Sequence, residues 1–443
     1  MFLFSFQSSE LRQLLRITFP IFLELVLQLL VGNVDKIMVG NDYSATAINQ
    51  ANTILDMLAV SLSVLSAASL ILISQYKGAQ NRQKEQQVYV LSFYFNLTVS
   101  LAIGILLAVL ARPVLSAIQV PPEIIDESVA YLRITGGGLF LQAIMFSLSA
   151  YLRSNTYMKQ CLLVAFLFNI INISGNMLFL WGLGMQGAVA VAIPSVISRF
   201  LGALLLFHEV KKYLRLDLSF RRLFSCRSAE LWKILKLGLP SCGESFSYSF
   251  SQIVILAIIN TFSTGEAVVK TYATMLAMCS YLFTSAISQA MQILLGRALG
   301  AKRFTDAENL VRRVTIISCL ASAGISSLIA VFSTSIFGLL TADENVIRLC
   351  RLVMFIDVAL ELGRAVNIVM VRALQTCGDV MFPTLLAIFF CWVVAVGGSW
   401  GFGSLMGFGI LGVWAAMTID ELCRAVIFLF RFHRGAWKKL SLV

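Results

Sequence analysis

Apolar runs of about 20 residues follow one another along almost the whole chain, separated by short polar or basic breaks. A run of that length crosses roughly 30 Å of hydrocarbon as a helix, which satisfies its own backbone groups where no water reaches them. Twelve spans are predicted, near 14–34, 53–73, 88–110, 134–154, 160–181, 187–209, 235–259, 272–294, 312–334, 349–370, 382–400 and 409–430. The fold class is therefore an all-α polytopic membrane protein. VPPEIIDESVAYLR at 120–133 reads as a short outer interfacial turn without a chemical signal. Pro20 and Pro240 stand near the starts of the first and seventh spans. Each either opens its helix, where a missing N–H costs nothing, or bends it if helical residues precede.

The pattern repeats at a larger scale. FPIFLEL at 19–25 and LPSCGES at 239–245 both place a glutamate four residues after a proline, giving Glu24 and Glu244. KGAQNR at 77–82 resembles LGAKRF at 299–304, and YLRSNTYM at 151–158 stands opposite ALQTCGDV at 373–380, both 222 residues apart. GMQGAVAVA at 184–192 matches GILGVWAAM at 409–417 with a separation of 225, which sets Arg199 opposite Arg424. Six spans per half is an even number. The halves are thus expected to be parallel six-helix bundles related by a pseudo-two-fold axis along the membrane normal. The expected organisation is an N-terminal lobe at 1–210, a basic cytoplasmic linker at 211–236 and a C-terminal lobe at 237–443. The linker carries an amphipathic stretch suited to the headgroup interface; a plain charged connector is the other reading.

Composition agrees: 58% of residues are hydrophobic and 13% charged, against about a quarter charged in soluble domains. The formal charge of +11 is spread over the breaks that face the cytoplasm when both termini are inside, among them Lys77, Arg153, Arg221, Arg222, Arg227, Lys302 and Arg431. No basic groove lined with aromatics gathers them, so nucleic acid is not an expected partner. The opening MFLFSFQSSELRQLLR lacks the order of a cleavable signal. The expected place is the cell membrane, crossed many times. Nine cysteines show no CxxC spacing, only His208 and His433 are present, and neither HExxH nor a GxSxG motif with a usable histidine occurs. An enzyme, a resident metal cluster and an organic cofactor are not expected.

Ionised groups in hydrocarbon cost at least about 2.5–3.5 kcal/mol and therefore mark bundle interiors or water-filled cavities. The N-terminal half places Glu24, Asp35 and Asp56 in such runs, with Asn169, Asn172 and Asn176 on the fifth span. Asp35 follows Glu24 by eleven residues, three turns and about 16 Å along one helix face. Two readings are open for Asp35. One is a carboxylate that takes up H+ or Na+, supported by the amides of Asn172 and Asn176; the other is a boundary aspartate beside Lys36 that meets headgroups. In the C-terminal half, Glu244 and Tyr248 are one turn apart and form a candidate site for a substrate cation or a proton. Asp357, Glu361, Arg364 and Asn367 on the tenth span, and Asp420, Glu421 and Arg424 on the twelfth, are further lobe-facing candidates. Glu361 with Arg364, and Asp420 or Glu421 with Arg424, have the spacing of ion pairs, so a structural role for them is equally open. The content of 32 Phe and 15 Met suits an adaptable cavity wall.

PIFLELVLQLLVGNVDKIMVGNDYSATAINQAN at 20–52 resembles the first-span signature of the multidrug and toxic compound extrusion (MATE) transporters. YLRSNTYMKQ, NISGNMLFLWGLGMQGAVAVA and NIVMVRALQTCGDVMFPT agree, and the resemblance runs from about 14 to 430, nearer the DinF-like groups than the NorM group. It implies antiport, in which H+ or Na+ entering down its gradient drives export of organic, often cationic or amphiphilic, compounds. By the same resemblance, Asp35 occupies the family's N-lobe carboxylate and Asn172 its ion-site asparagine. Asn176 stands where many members have a second aspartate, and Ala192 where many have a threonine. That loss of one charge and one hydroxyl favours H+ over Na+. Tyr248 and Arg364 stand near the places of the NorM-type C-lobe carboxylates, with Glu244 one turn away. The expected partners are small organic substrates and the lipid bilayer, and the chain is expected to be monomeric. A flippase for a lipid-linked saccharide and a non-transporting structural or receptor protein are the competing readings.

Overall fold

The computed structural model describes residues 8–40, 42–223, 226, 228–440 and 442. Arg227 and the side chain of Lys36 lie outside the described residues. The described residues are almost entirely helical. The first half comprises α1 (Ser8–Val39), α2 (Asp42–Gly78), α3 (Arg82–Ala117), α4 (Pro122–Gly137), α5 (Leu139–Ser154), α6 (Met158–Met177) and α7 (Val189–Leu214). A single turn, α8 (Phe220–Leu223), follows in the basic linker. The second half comprises α9 (Ser228–Asn260), α10 (Thr264–Gly300), α11 (Phe304–Gly338), α12 (Glu344–Thr376), α13 (Met381–Phe390) and α14 (Gly409–His433). Wider π turns at Leu178–Gly182, Cys391–Val396 and Ser399–Leu405 extend α6 and α13.

Among the described residues, eight helices are long and apolar enough to cross a membrane, and nine if α4 and α5 are taken as one bent span. The chain is thus an all-α, multi-pass membrane protein. Three other long helices, α1, α12 and α14, carry most of the ionisable residues that the sequence singles out. Serine and threonine hydroxyls inside the helices bond back to carbonyls of the preceding turn, as Thr18 does to Leu14 at 2.9 Å and Ser66 to Leu62 at 3.1 Å. That local bond keeps a hydroxyl satisfied where water is absent.

The polar stretch at 120–133 is a helix, not a turn. It forms α4, which opens with Pro122 in its first turn and runs to Gly137 before a 42° bend into α5. Its charges Glu123 and Asp126 lie on an exposed face, whereas Ile124, Ser128, Val129 and Leu132 are buried. Pro20 lies inside α1 and Pro240 inside α9, twelve residues after the first residue of each helix. Neither opens its helix; each withholds the N–H that the carbonyl four residues earlier would accept.

The chain divides into two compact units, Phe19–Cys242 and Met1–Thr18 with Gly243–Val443. In the first, Ile48, Leu55, Leu115, Leu132 and Val191 join one apolar core between α2, α3, α4 and α7. Its linker end is tied down by Glu230 of α9, which accepts the Tyr76 hydroxyl, and by Lys233, whose amine reaches the same hydroxyl at 2.7 Å. In the second, Ile259, Phe337, Val353, Leu360 and Trp414 form the core between α9, α10, α11, α12 and α14. Here α12 and α14 approach at backbone distance: a Cβ on Gly363 would lie 2.9 Å from the carbonyl carbon of Glu421. Small residues permit such contacts between membrane helices. A glutamate fastens the start of α7 in the first unit and of α14 in the second. Glu127 accepts the N–H of Ala188 at 2.5 Å, and Glu266 that of Ile410 at 2.6 Å.

Candidate functional site

In the first unit, α1, α6 and α7 bring four polar side chains together. Asp35 is 5% exposed. Its Oδ1 accepts a hydrogen bond from Asn176 Nδ2 at 2.6 Å, and its Oδ2 accepts one from the Ser195 hydroxyl at 3.0 Å. Asn172 does not touch Asp35; its Nδ2 donates to Ser195 Oγ at 3.0 Å and so acts one step behind. Asn172 and Asn176, one turn apart on α6, are both fully buried. Every polar contact of the carboxylate in this set is a donor, the arrangement that holds an ionised carboxylate away from water. The carbonyl oxygens of both asparagines have no hydrogen-bond partner among the described residues. A buried acceptor without a donor is costly, so two oxygens beside Asp35 stand ready for a proton-bearing group or a cation.

The other N-terminal candidates lie elsewhere. Asn169 bonds to its own helix at Ala165 O, 2.7 Å away. Glu24 accepts from Arg153 Nη2 at 2.6 Å, joining α1 to α5. Asp56 is exposed. Ser195 was not legible as a partner: alignment by family pattern points to Ala192, one turn earlier, and predicts a lost hydroxyl. The hydroxyl is present, supplied by Ser195. A serine next to Pro194, on the span that follows the paired asparagines, is the only signal the sequence offers for it.

The second unit is arranged differently. Arg364 on α12 contacts Glu361 of its own helix and lies 3.6 Å from Glu421 of α14. Arg424 binds Asp420 at 2.5 Å and Glu421 at 3.2 Å, and Asn367 donates to Glu421 at 2.6 Å. Asp357 accepts the Trp414 indole N–H at 3.1 Å. Lys270, just before the predicted start of the eighth span, stacks over Trp414 with its amine 4.9 Å from the ring centre. The spacings that suggest ion pairs are realised, and these side chains join α12 to α14. Glu244 stands somewhat apart, accepting from the Thr384 hydroxyl at 3.2 Å. Tyr248, one turn further along α9, is 46% exposed.

Comparison with known proteins fits this arrangement of helices and polar groups. The MatE family model matches residues 20–178 and 240–401. The uncharacterized transporter YisQ of Bacillus subtilis (strain 168) is 30% identical over 96% of this chain and 94% of its own length. The probable multidrug resistance protein NorM of Thermotoga maritima is 25% identical over 98% of this chain and 94% of its own. The crystal structure of MATE in the bent conformation superposes with a TM-score of 0.89 at 21% identity, covering 97% of each chain. A MOP superfamily transporter from Pyrococcus furiosus, whose binding pocket is described as reversed in polarity, superposes with a TM-score of 0.87 at 21% identity, covering 96% of each chain. The chain belongs to the MatE family and is a membrane-embedded secondary transporter of the MATE type, not an enzyme, in a family whose members draw on H+ or Na+ gradients.

Proposed function

We propose that this transporter exports organic, cationic or amphiphilic compounds in exchange for H+, with Asp35 as the group that takes up the proton. MATE transporters serve multidrug efflux by alternating access, and relatives named as probable multidrug resistance proteins match over nearly the full chain. The observation that carries the choice of residue is the buried Asp35 with its two neutral donors, Asn176 and Ser195. An ionised Asp35 satisfies both donors. A protonated Asp35 is itself a donor and calls for an acceptor, which a half-turn of the Asn176 amide supplies. The two protonation states therefore favour two side-chain arrangements between α1, α6 and α7. Protonation from outside would release the hold on α1, favour its bending at Pro20 and expel cargo; loss of the proton inward would reset it.

The choice of H+ over Na+ rests on Asp35 being the one anionic side chain in this set. Twelve spans in two like-oriented lobes, with both termini cytoplasmic, remain our reading of the topology. It is supported by the internal duplication, the placement of basic residues, and the length of α1, α12 and α14. The engagement of Arg364 and Arg424 by carboxylates argues against a freely cationic cavity for a lipid-linked saccharide. Occupation of the NorM-type C-lobe positions by Tyr248 and Arg364 supports the DinF-like branch. The test is efflux of a fluorescent organic cation from proteoliposomes under an imposed pH gradient. Wild type accelerates it and Asp35→Asn abolishes it; equal efflux by the two proteins would remove Asp35 from the role.

A further inference from the structure

The repeat places different chemistry at corresponding positions of the two lobes. The separation of 225 that sets Arg199 opposite Arg424 also sets Ser195 opposite Asp420. In the second unit that aspartate binds its arginine directly, at 2.5 Å, one turn away on the same helix. In the first unit the corresponding residue is a serine, and its hydroxyl turns to Asp35 of α1 instead. Arg199 is left without a carboxylate within 4 Å among the described residues, and its Nη1 rests on the Thr135 carbonyl of α4 at 3.3 Å. Arg199 and Ser195 share a face of α7, being four residues apart. The guanidinium thus lies one turn from the Asp35 cluster and acts on Asp35 electrostatically.

We infer that Arg199 is the resident counter-charge of Asp35, a fixed cation one turn from the carboxylate whose charge opposes Na+ and restricts the N-lobe site to protons. A guanidinium stays charged at any physiological pH. The charged and titratable groups around the pair are Asp35 on α1, Asp56 on α2, Tyr131 on α4 and Arg199 on α7; the α6 contribution, Asn172 and Asn176, is neutral. Asp56 is exposed. The carboxylate of Asp35 and the guanidinium of Arg199 therefore cancel, and no net charge draws a metal cation in. Na+ binds only by attraction to several oxygens, and a nearby like charge weakens that attraction directly. A proton forms a covalent O–H bond, which even an unassisted carboxylate in water makes at about 10⁻⁴ M, so the same repulsion leaves proton binding in a useful range.

This inference rests on Asp35 being the ion-binding carboxylate, so its test reads Na+ binding, whereas the test of Asp35 itself reads transport. Purified full-length protein is melted in NaCl and in choline chloride at equal ionic strength. Wild type and R199K are expected to melt at the same temperature in both salts. R199Q is expected to gain a Na+-specific rise that reflects binding on the order of tenfold or more tighter, and D35N on the R199Q background to lose it again. R199M, a second neutral variant of similar length, is expected to gain the same Na+-specific rise and carries the test if R199Q does not fold. Wild type stabilised by Na+ as strongly as R199Q, or a folded R199Q that ignores Na+, overturns the inference.

Discussion

Asp35 keeps company with two neutral donors, and each contact is worth more in hydrocarbon than it would be in water. Ser195 is the joint of that set, because it donates to Asp35 and accepts from Asn172. Ser195→Ala removes both bonds and leaves the Asn172 amide nitrogen without its partner, at a cost of about 1–3 kcal/mol. The melting temperature of the purified protein should fall, and Ser195→Thr, which keeps the hydroxyl, should restore most of it. Asp35 was legible in the sequence because a carboxylate interrupts an apolar run, and the two asparagines because they repeat at one helical turn. Ser195 was not. Serines are common in these helices and many satisfy themselves locally, as Ser198 does on the Ser195 carbonyl at 3.0 Å. Sequence cannot tell such a serine from one that reaches across to another helix.

Between elements, the tightest constraints are ion pairs and glycines. Glu24 and Arg153 join α1 to α5 with side chains 6% and 15% exposed. Removing one partner strands a buried charge, so Glu24→Gln or Arg153→Met alone should destabilise by about 3–5 kcal/mol, with part of the loss recovered in the double variant. Thermal melts of the four proteins form the cycle that checks this. In the second unit, a Cβ on Gly412 would stand 2.6 Å from the carbonyl carbon of Phe402, a backbone atom with no room to move aside. Gly412→Ala should cost at least about 1–3 kcal/mol and lower the yield of folded protein, read by size-exclusion chromatography after extraction. Neither constraint is visible in the sequence, since spacing reports which residues share a face but not which helix lies opposite. The case of α4 shows the converse error. Its paired prolines and polar pattern suggest a turn, although Glu123 and Asp126 occupy one side of a helix whose other side is packed against α3.

For the whole molecule, apolar periodicity was enough to fix an all-α membrane protein, since hydrocarbon allows a spanning segment little else. The helices α1, α12 and α14 are less apolar than the eight clear spans because buried ionisable residues, among them Asp35, Glu361 and Arg424, interrupt them. The internal duplication in the sequence also marks where its two copies part: Ser195 against Asp420, an arginine resting on a carbonyl against one locked in a salt bridge. Under the proposed function the switching chemistry belongs to the first lobe, and the second carries structural ion pairs. Arg424→Gln should accordingly lower stability more than it lowers transport per folded molecule, as flux normalised to folded protein would show. The central claim is an exchange of organic cation for proton through Asp35. Its most direct measurement is the internal pH of proteoliposomes, read by a trapped dye, when an organic cation is added without any imposed ion gradient. A pH change opposite in direction to cation movement, unaffected by Na+ and missing in Asp35→Asn, is the predicted result. A change that persists in Asp35→Asn, or cation movement that follows Na+ with no change in pH, would contradict it.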